Sequence, residues 1–237
     1  MEDRYVESNG LRICYDEFGD PSKPCILLIM GLGAQMIAWR EPFCQKLADQ
    51  GFRVVRFDNR DIGLSEKIDQ APPAMLSLMG ASLFGLQLRT PYTLSDMAKD
   101  AVGVLDALGI EAAHVVGASM GGMIAQIIAA NYSERALSLT SIMSTTGAKH
   151  LPKAAPKVTA LMLKRRAKNE EQRVKNSIAL WRVIGSPAYQ PSEEELTDRI
   201  LSSYRRNFCP DGYSRQVGAI TVSGDRVDLL KTVTVPT

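Results

Sequence analysis

Ser119 is the side chain in this sequence best suited to attack a carbonyl carbon. It stands in Gly117-Ala118-Ser119-Met120-Gly121, a G-x-S-x-G pattern, with the apolar run Ala113-His114-Val115-Val116 before it and an apolar stretch from Met120 to Tyr132 after it. In that context a strand turns abruptly into a helix and lifts the serine to the apex of the turn. The neighbouring positions must be glycine because a Cβ would clash in so sharp a bend, and Gly122 lets the helix pack close to the strands. The competing reading is a structural serine in a chance match. Carbonyl attack also needs donors for the developing oxyanion. The pattern supplies one, the backbone N–H of Met120, at a helix start where the dipole is positive. A second is expected from Met30-Gly31-Leu32-Gly33, whose glycines let the backbone aim an N–H inward, and the sequence assigns it to Leu32. The alternative is that these glycines only end a strand.

A serine also needs a base, and neither of the two histidines suits. His114 precedes Ser119 by five residues in the same strand, which puts it about 16 Å away at 3.3 Å per residue; it is expected to be a core or edge residue. His150 follows the strand after the serine's helix, at the correct end of the sheet but in the first turn of an inserted segment. A surface role is expected for it, with catalysis the alternative. Asp225 and Asp228 sit on a returning helix, where capping or pairing with Arg226 is expected instead of acid chemistry. No metal and no cofactor is expected.

The elements that carry these residues follow from patterning. Arg4–Ser8 and Leu11–Phe18 read as strands joined by the tight turn Asn9-Gly10. Cys25-Ile26-Leu27-Leu28-Ile29-Met30 is apolar throughout, as a strand covered on both faces must be. A helix is expected from Trp39 to Gln50, a strand over Arg53–Phe57, and a helix begun by the capping pair Thr93 and Asp96 and stopped at Gly109. Strand 113–117, helix 120–132 and strand 137–143 complete a parallel, doubly wound sheet entered through an antiparallel hairpin. After Gly147 the alternation lapses, and helical patterns fill 158–168, 171–184 and 193–208, with Ser192 and Glu195 another capping pair. The predicted division is a core over 1–147, a helical cap over 148–215, and a return to the core over 216–237. A helix is expected over 216–230 and the approach to a new strand over 233–237.

Ile29-Met30-Gly31-Leu32-Gly33-Ala34-Gln35, then Phe57-Asp58-Asn59-Arg60-Asp61-Ile62-Gly63-Leu64-Ser65, then Val116-Gly117-Ala118-Ser119-Met120-Gly121-Gly122-Met123 resembles the α/β-hydrolase superfamily, and within it the serine-esterase group that includes aclacinomycin methylesterase. The resemblance implies Ser119 as nucleophile, Leu32 and Met120 as oxyanion donors, and a structural role for Asp58, Arg60, Asp61 and Ser65. It also implies the chain order serine, acid, histidine, with the acid after the strand that follows the cap and the histidine after the last strand. On that order the last strands and the rest of the triad are missing from residues 1–237, and this stretch alone is expected to show little esterase activity. The implied activity is hydrolysis of a small apolar carboxylic ester through an acyl-enzyme. Thioesterase, lactonase and perhydrolase chemistry use the same parts, and a non-catalytic binding protein on a hydrolase scaffold is the alternative of a different class.

Composition narrows the partners. With 45% hydrophobic residues in 237, the chain can bury a large core. A net charge of +2 from intermixed acids and bases predicts no nucleic-acid surface; the run Lys164-Arg165-Arg166 with Lys168 reads as a solvated helix face. Four widely spaced cysteines read as free thiols in a reducing compartment, and a polar start without a signal-peptide core predicts a cytoplasmic protein. The apolar segment 73–88 is too broken and short to span a membrane. It is expected to be a core helix, with a substrate lid containing Met75 and Met79 as the alternative.

Overall fold

The computed structural model describes residues 3–74, 77–78, 80, 88–152, 155–162 and 169–237. Met75, Met79 and most of the apolar segment around them, like the basic run at 164–168, lie outside the described residues. The chain divides into two compact units, Met1–Lys149 with Cys209–Thr237, and His150–Phe208.

The first unit is built on a sheet of six strands. Strands β1 (Arg4–Ser8) and β2 (Leu11–Phe18) form the hairpin, turned at Asn9 and Gly10 with φ of 50° and 75°, the left-handed pair that a two-residue hairpin turn requires. Strand β2 runs antiparallel to β4 (Arg53–Phe57). Strands β4, β3 (Cys25–Ile29), β5 (Ala113–Ala118) and β6 (Ala136–Ile142) are parallel, giving the order β1-β2-β4-β3-β5-β6. Register carries the argument to the site: Ile29 lies beside Phe57 on one side and Gly117 on the other. The turns after β3, β4 and β5 therefore emerge together at the carboxyl ends of the strands, where open α/β sheets place ligands.

The apolar run of β3 is explained by burial on both faces. Leu27 and Ile29 enter a core with α2 (Leu94–Ala107) and α3 (Met120–Asn131), whereas Ile26 and Leu28 enter a smaller core with Trp39 and Cys44. Each such side chain contributes about 1.5–3 kcal/mol by leaving water. Helix α1 is Glu41–Ala48, shorter than its apolar pattern, because Met36–Ala38 forms a separate 3-10 turn and Pro42 favours the first turn of a helix. The pair Thr93 and Asp96 starts α2 as a reciprocal capping box.

In the second unit lie α4 (Pro156–Met162), α5 (Glu170–Ile184) and α6 (Glu193–Arg206), with Ser192 accepting the Glu195 N–H at 3.1 Å. Arg173 stacks over Phe208, its guanidinium 3.7 Å from the ring centre. His150 is exposed.

The chain's return to the first unit differs from expectation. Helix α7 runs from Pro210 to Ser223, and a short α8 (Val227–Leu230) follows. Gly224, at φ 59°, breaks what the pattern suggested was one helix over 216–230. Asp225 caps from the turn, accepting the Val227 N–H at 2.8 Å, and Asp228 pairs with Lys231 at 2.7 Å. Arg226 bonds Gln126 and the carbonyls of Thr145 and Gly224 instead. Residues 233–237 are not a strand, although the Pro236 carbonyl accepts the Leu139 N–H of β6 at 2.8 Å.

None of the four cysteines is in a disulfide. Burial pushes Cys25 up to about 12 and Cys44 up to about 11, so both stay protonated and unreactive at pH values near 8. Cys14 is fully buried, and Cys209 alone among the four is partly exposed. Of these four thiols, Ellman's reagent is expected to find Cys209 alone fast in the native protein and all four after guanidinium. More than one fast native thiol would contradict this burial.

Candidate active site

Ser119 occupies the single residue between β5 and α3, with φ 55° and ψ −117°. A non-glycine residue there is strained, and the surroundings hold it. Its N–H donates to the Ile142 carbonyl at 2.8 Å, while its carbonyl accepts from Ser144 Oγ at 2.8 Å and from the Met123 N–H at 3.2 Å. The glycines of the pattern are sterically dictated. A Cβ on Gly121 would lie 2.1 Å from the Ile29 carbonyl oxygen, and one on Gly117 would lie 2.1 Å from the Gly121 oxygen. On Gly122 it would meet the Ser144 Cβ at 2.6 Å, so the helix approaches the end of β6 closely, as expected. The Ser119 residue is exposed, whereas the Met120 side chain is fully buried. As the first residue of α3, Met120 has an N–H with no carbonyl partner within the helix.

The turn after β3 adjoins the serine. The Cβ position of Gly31 lies 3.0 Å from Ser119 Cβ and 3.5 Å from Ser119 Oγ. Met30 presents its carbonyl to Asn59 Nδ2 at 2.8 Å. The Ala34 N–H returns to the Gly31 carbonyl at 3.2 Å, and the Gly33 N–H is taken by Gln216 Oε1 at 2.9 Å. Leu32, between them, is partly buried against the main core. Ser119, Met120 and the Gly31-Leu32-Gly33 turn are thus brought together.

The turn after β4 braces both neighbours. Buried Asp58 accepts the Met36 N–H at 2.7 Å and the Leu64 N–H at 2.9 Å, while Ser65 Oγ donates to the Asp58 carbonyl at 2.6 Å and accepts the Cys14 N–H at 2.9 Å. Arg60 makes a two-pronged pair with Asp100 of α2 at 2.5 Å. Asp61 takes Arg215 Nε at 2.8 Å, Arg215 Nη2 at 2.9 Å and the Tyr92 hydroxyl at 2.6 Å. Burial, then the Asp61 charge, push the Tyr92 phenol far above its usual range, so it serves as a donor. These contacts give Asp58, Arg60, Asp61 and Ser65 a structural part.

His114 is not at the site. Its Nδ1 lies 2.8 Å from Ser138 Oγ and its ring meets Phe52 edge-on. Among the described residues no group of three or more His, Cys, Asp or Glu is placed to hold a metal ion, and no helix is long and apolar enough to cross a membrane. Sequence reasoning missed Arg215 and Gln216, which reach Asp61 and Gly33 from 154 and 183 residues away; nothing in the local pattern of α7 marks them.

Comparison with known proteins agrees with this architecture. Rhodomycin D methylesterases of Streptomyces sp. (strain C5) and Streptomyces peucetius are each 28% identical over 222 residues, covering 85% of this chain and 68% of theirs. The crystal structure of the enol-lactonase from Burkholderia xenovorans LB400 superposes with a TM-score of 0.71 at 21% identity, over 98% of this chain and 78% of that one; at that identity the likeness is one of fold. Residues 24–180 match the family model described as the alpha/beta hydrolase fold. The chain belongs to the alpha/beta hydrolase fold family.

Proposed function

We propose that this protein hydrolyses small apolar carboxylic esters through an acyl-enzyme on Ser119. The observation that carries this reading is Ser119 at φ 55° in a one-residue strand-to-helix turn, its hydroxyl beside Gly31. Ser119 Oγ attacks the ester carbonyl carbon while a base takes the hydroxyl proton. The carbonyl oxygen becomes the oxyanion, received by the N–H groups of Leu32 and Met120. Collapse breaks the acyl–oxygen bond, and the alcohol leaves with the proton; water then repeats the attack and releases the acid. The reading rests on a base and its acid partner which, in the family's order, follow the serine in the chain. Relatives named methylesterases favour a methyl ester as the substrate class. Four cysteines outside any disulfide favour the cytoplasm.

The test is covalent. A fluorophosphonate added to the full-length protein should modify one residue, found by peptide mass spectrometry at Ser119, and a panel of methyl esters should protect against it. Modification elsewhere, or none, would remove the nucleophile assignment. Protection without turnover would favour a binding protein.

A further inference from the structure

Gln216 is fully buried, and the two ends of its carboxamide serve two separate loops. Oε1 accepts the Gly33 N–H at 2.9 Å, in the turn after β3, and Nε2 donates to the Arg60 carbonyl at 3.0 Å, in the turn after β4. The two bonds fix the orientation of the amide, because a flipped group would set N–H against N–H and oxygen against oxygen. The same helix grips the turn a second time. Gly33 has φ 67°, and the space its Cβ would fill is taken by Tyr213, whose ring carbon lies 2.6 Å away.

The consequence falls on Leu32. Carbonyl and N–H of a trans peptide point in opposite directions. The Ala34 N–H on the Gly31 carbonyl therefore directs the Leu32 N–H, which belongs to the same peptide plane, away from Ala34. The next peptide plane ends in the Gly33 N–H, and Gln216 holds it. Leu32 is thus bracketed on both sides, one bond made within the turn and the other delivered by α7. We infer that Gln216 is a positioning residue for the oxyanion turn: through Gly33 it fixes the direction of the Leu32 N–H and couples that direction to the seating of α7. This rests on the proposed role of Ser119 and Leu32. Donor alignment matters at this level because a misplacement of about 1 Å is worth roughly 100-fold in rate.

The experiment uses the full-length protein, with fluorophosphonate modification of Ser119 in the wild type as its first arm; failure there overturns the Ser119 reading itself. The second arm compares Gln216→Met, which makes neither bond, with Gln216→Glu, which retains an acceptor for Gly33, and Arg215→Lys, which loosens α7 without touching Gly33. Substrates are an aryl ester and its thionoester, whose sulfur is poorly served by an oxyanion site. Gln216→Met should lower kcat for the oxygen ester by about 10-fold to 100-fold, with KM within about twofold, and should shrink the oxygen-to-sulfur rate ratio. Gln216→Glu should recover that ratio, and Arg215→Lys should lower the melting temperature while leaving it unchanged. If Gln216→Met does not fold, Gln216→Asn, one methylene too short for Gly33, is read in the same way. An unchanged ratio in Gln216→Met, or in Gln216→Asn where that is read instead, with Ser119 still modified, would overturn the inference; so would an equal shrinkage in Arg215→Lys, which would mark a general loosening.

Discussion

Ser119→Ala is expected to lower kcat for ester hydrolysis by on the order of 10⁶, with no loss of thermal stability. The two halves of that expectation have separate origins. Attack needs the Oγ atom, and no other hydroxyl stands at the apex of the turn, so its removal ends acyl-enzyme formation. What persists is the rate supplied by binding and by oxyanion donors, a residue of about 10³–10⁴ over water in serine hydrolases. The fold, by contrast, does not use the hydroxyl. The bonds to Ile142, Ser144 and Met123 all run through the Ser119 main chain, and alanine keeps the Cβ that packs beside Gly31. Steady-state kinetics and a melting curve on the same sample decide the matter. Retained turnover would put the nucleophile elsewhere, and a large fall in melting temperature would show that the hydroxyl also braces the turn.

The largest expected effect on stability comes from Arg60→Ala. Asp100 is 1% exposed and, among the described residues, its carboxylate keeps only the Asn9 amide at 2.9 Å once the guanidinium is gone. Stranding one member of a buried ion pair costs about 3–5 kcal/mol, which in a chain of this size lowers the melting temperature by roughly 10 °C. Burial already raises the Asp100 carboxyl above its usual range against the pull of Arg60. Losing Arg60 raises it further, so the folded form binds the proton more tightly than the unfolded form does, and the deficit shrinks as the pH falls from about 8 toward 5. Replacing both partners by apolar residues, Arg60→Met with Asp100→Leu, should recover most of the loss. Denaturant titrations at both pH values test this; a deficit below about 1 kcal/mol, or one that grows on acidification, would contradict it.

The elements legible in the sequence are those whose cause is local. Asn9-Gly10 needs only its own left-handed backbone, Thr93 and Asp96 cap each other within one turn, and the run 25–29 is apolar because both faces of β3 are covered. The turn at Ser119 was legible because its pattern is contiguous in the chain: Gly117 answers to Gly121, four residues on, although Gly121 itself answers to Ile29 and Gly122 to Ser144, both distant in sequence. The start of α7 was not legible. Cys209-Pro210-Asp211-Gly212 has the composition of a break, yet Pro210 suits a helix start, and Gly212 lies within the helix because its missing side chain lets α7 rest on Asp61, whose carbonyl oxygen would lie 2.3 Å from a Cβ. Long-range contact decides that glycine, and it decides Arg215 and Gln216 as well. Of the two readings of Asp225, capping and pairing with Arg226, the structure shows the first, since Arg226 is drawn inward to Gln126, a residue 100 positions away.

The support of Ser119 by main-chain bonds has an evolutionary side. The backbone at position 119 is strained, but nothing that maintains the strain depends on which small, unbranched side chain the residue carries. On the proposed role of Ser119, selection on the reacting atom is thereby separated from selection on the scaffold, so a lineage can exchange one nucleophile for another at this position without first rebuilding the turn that presents it.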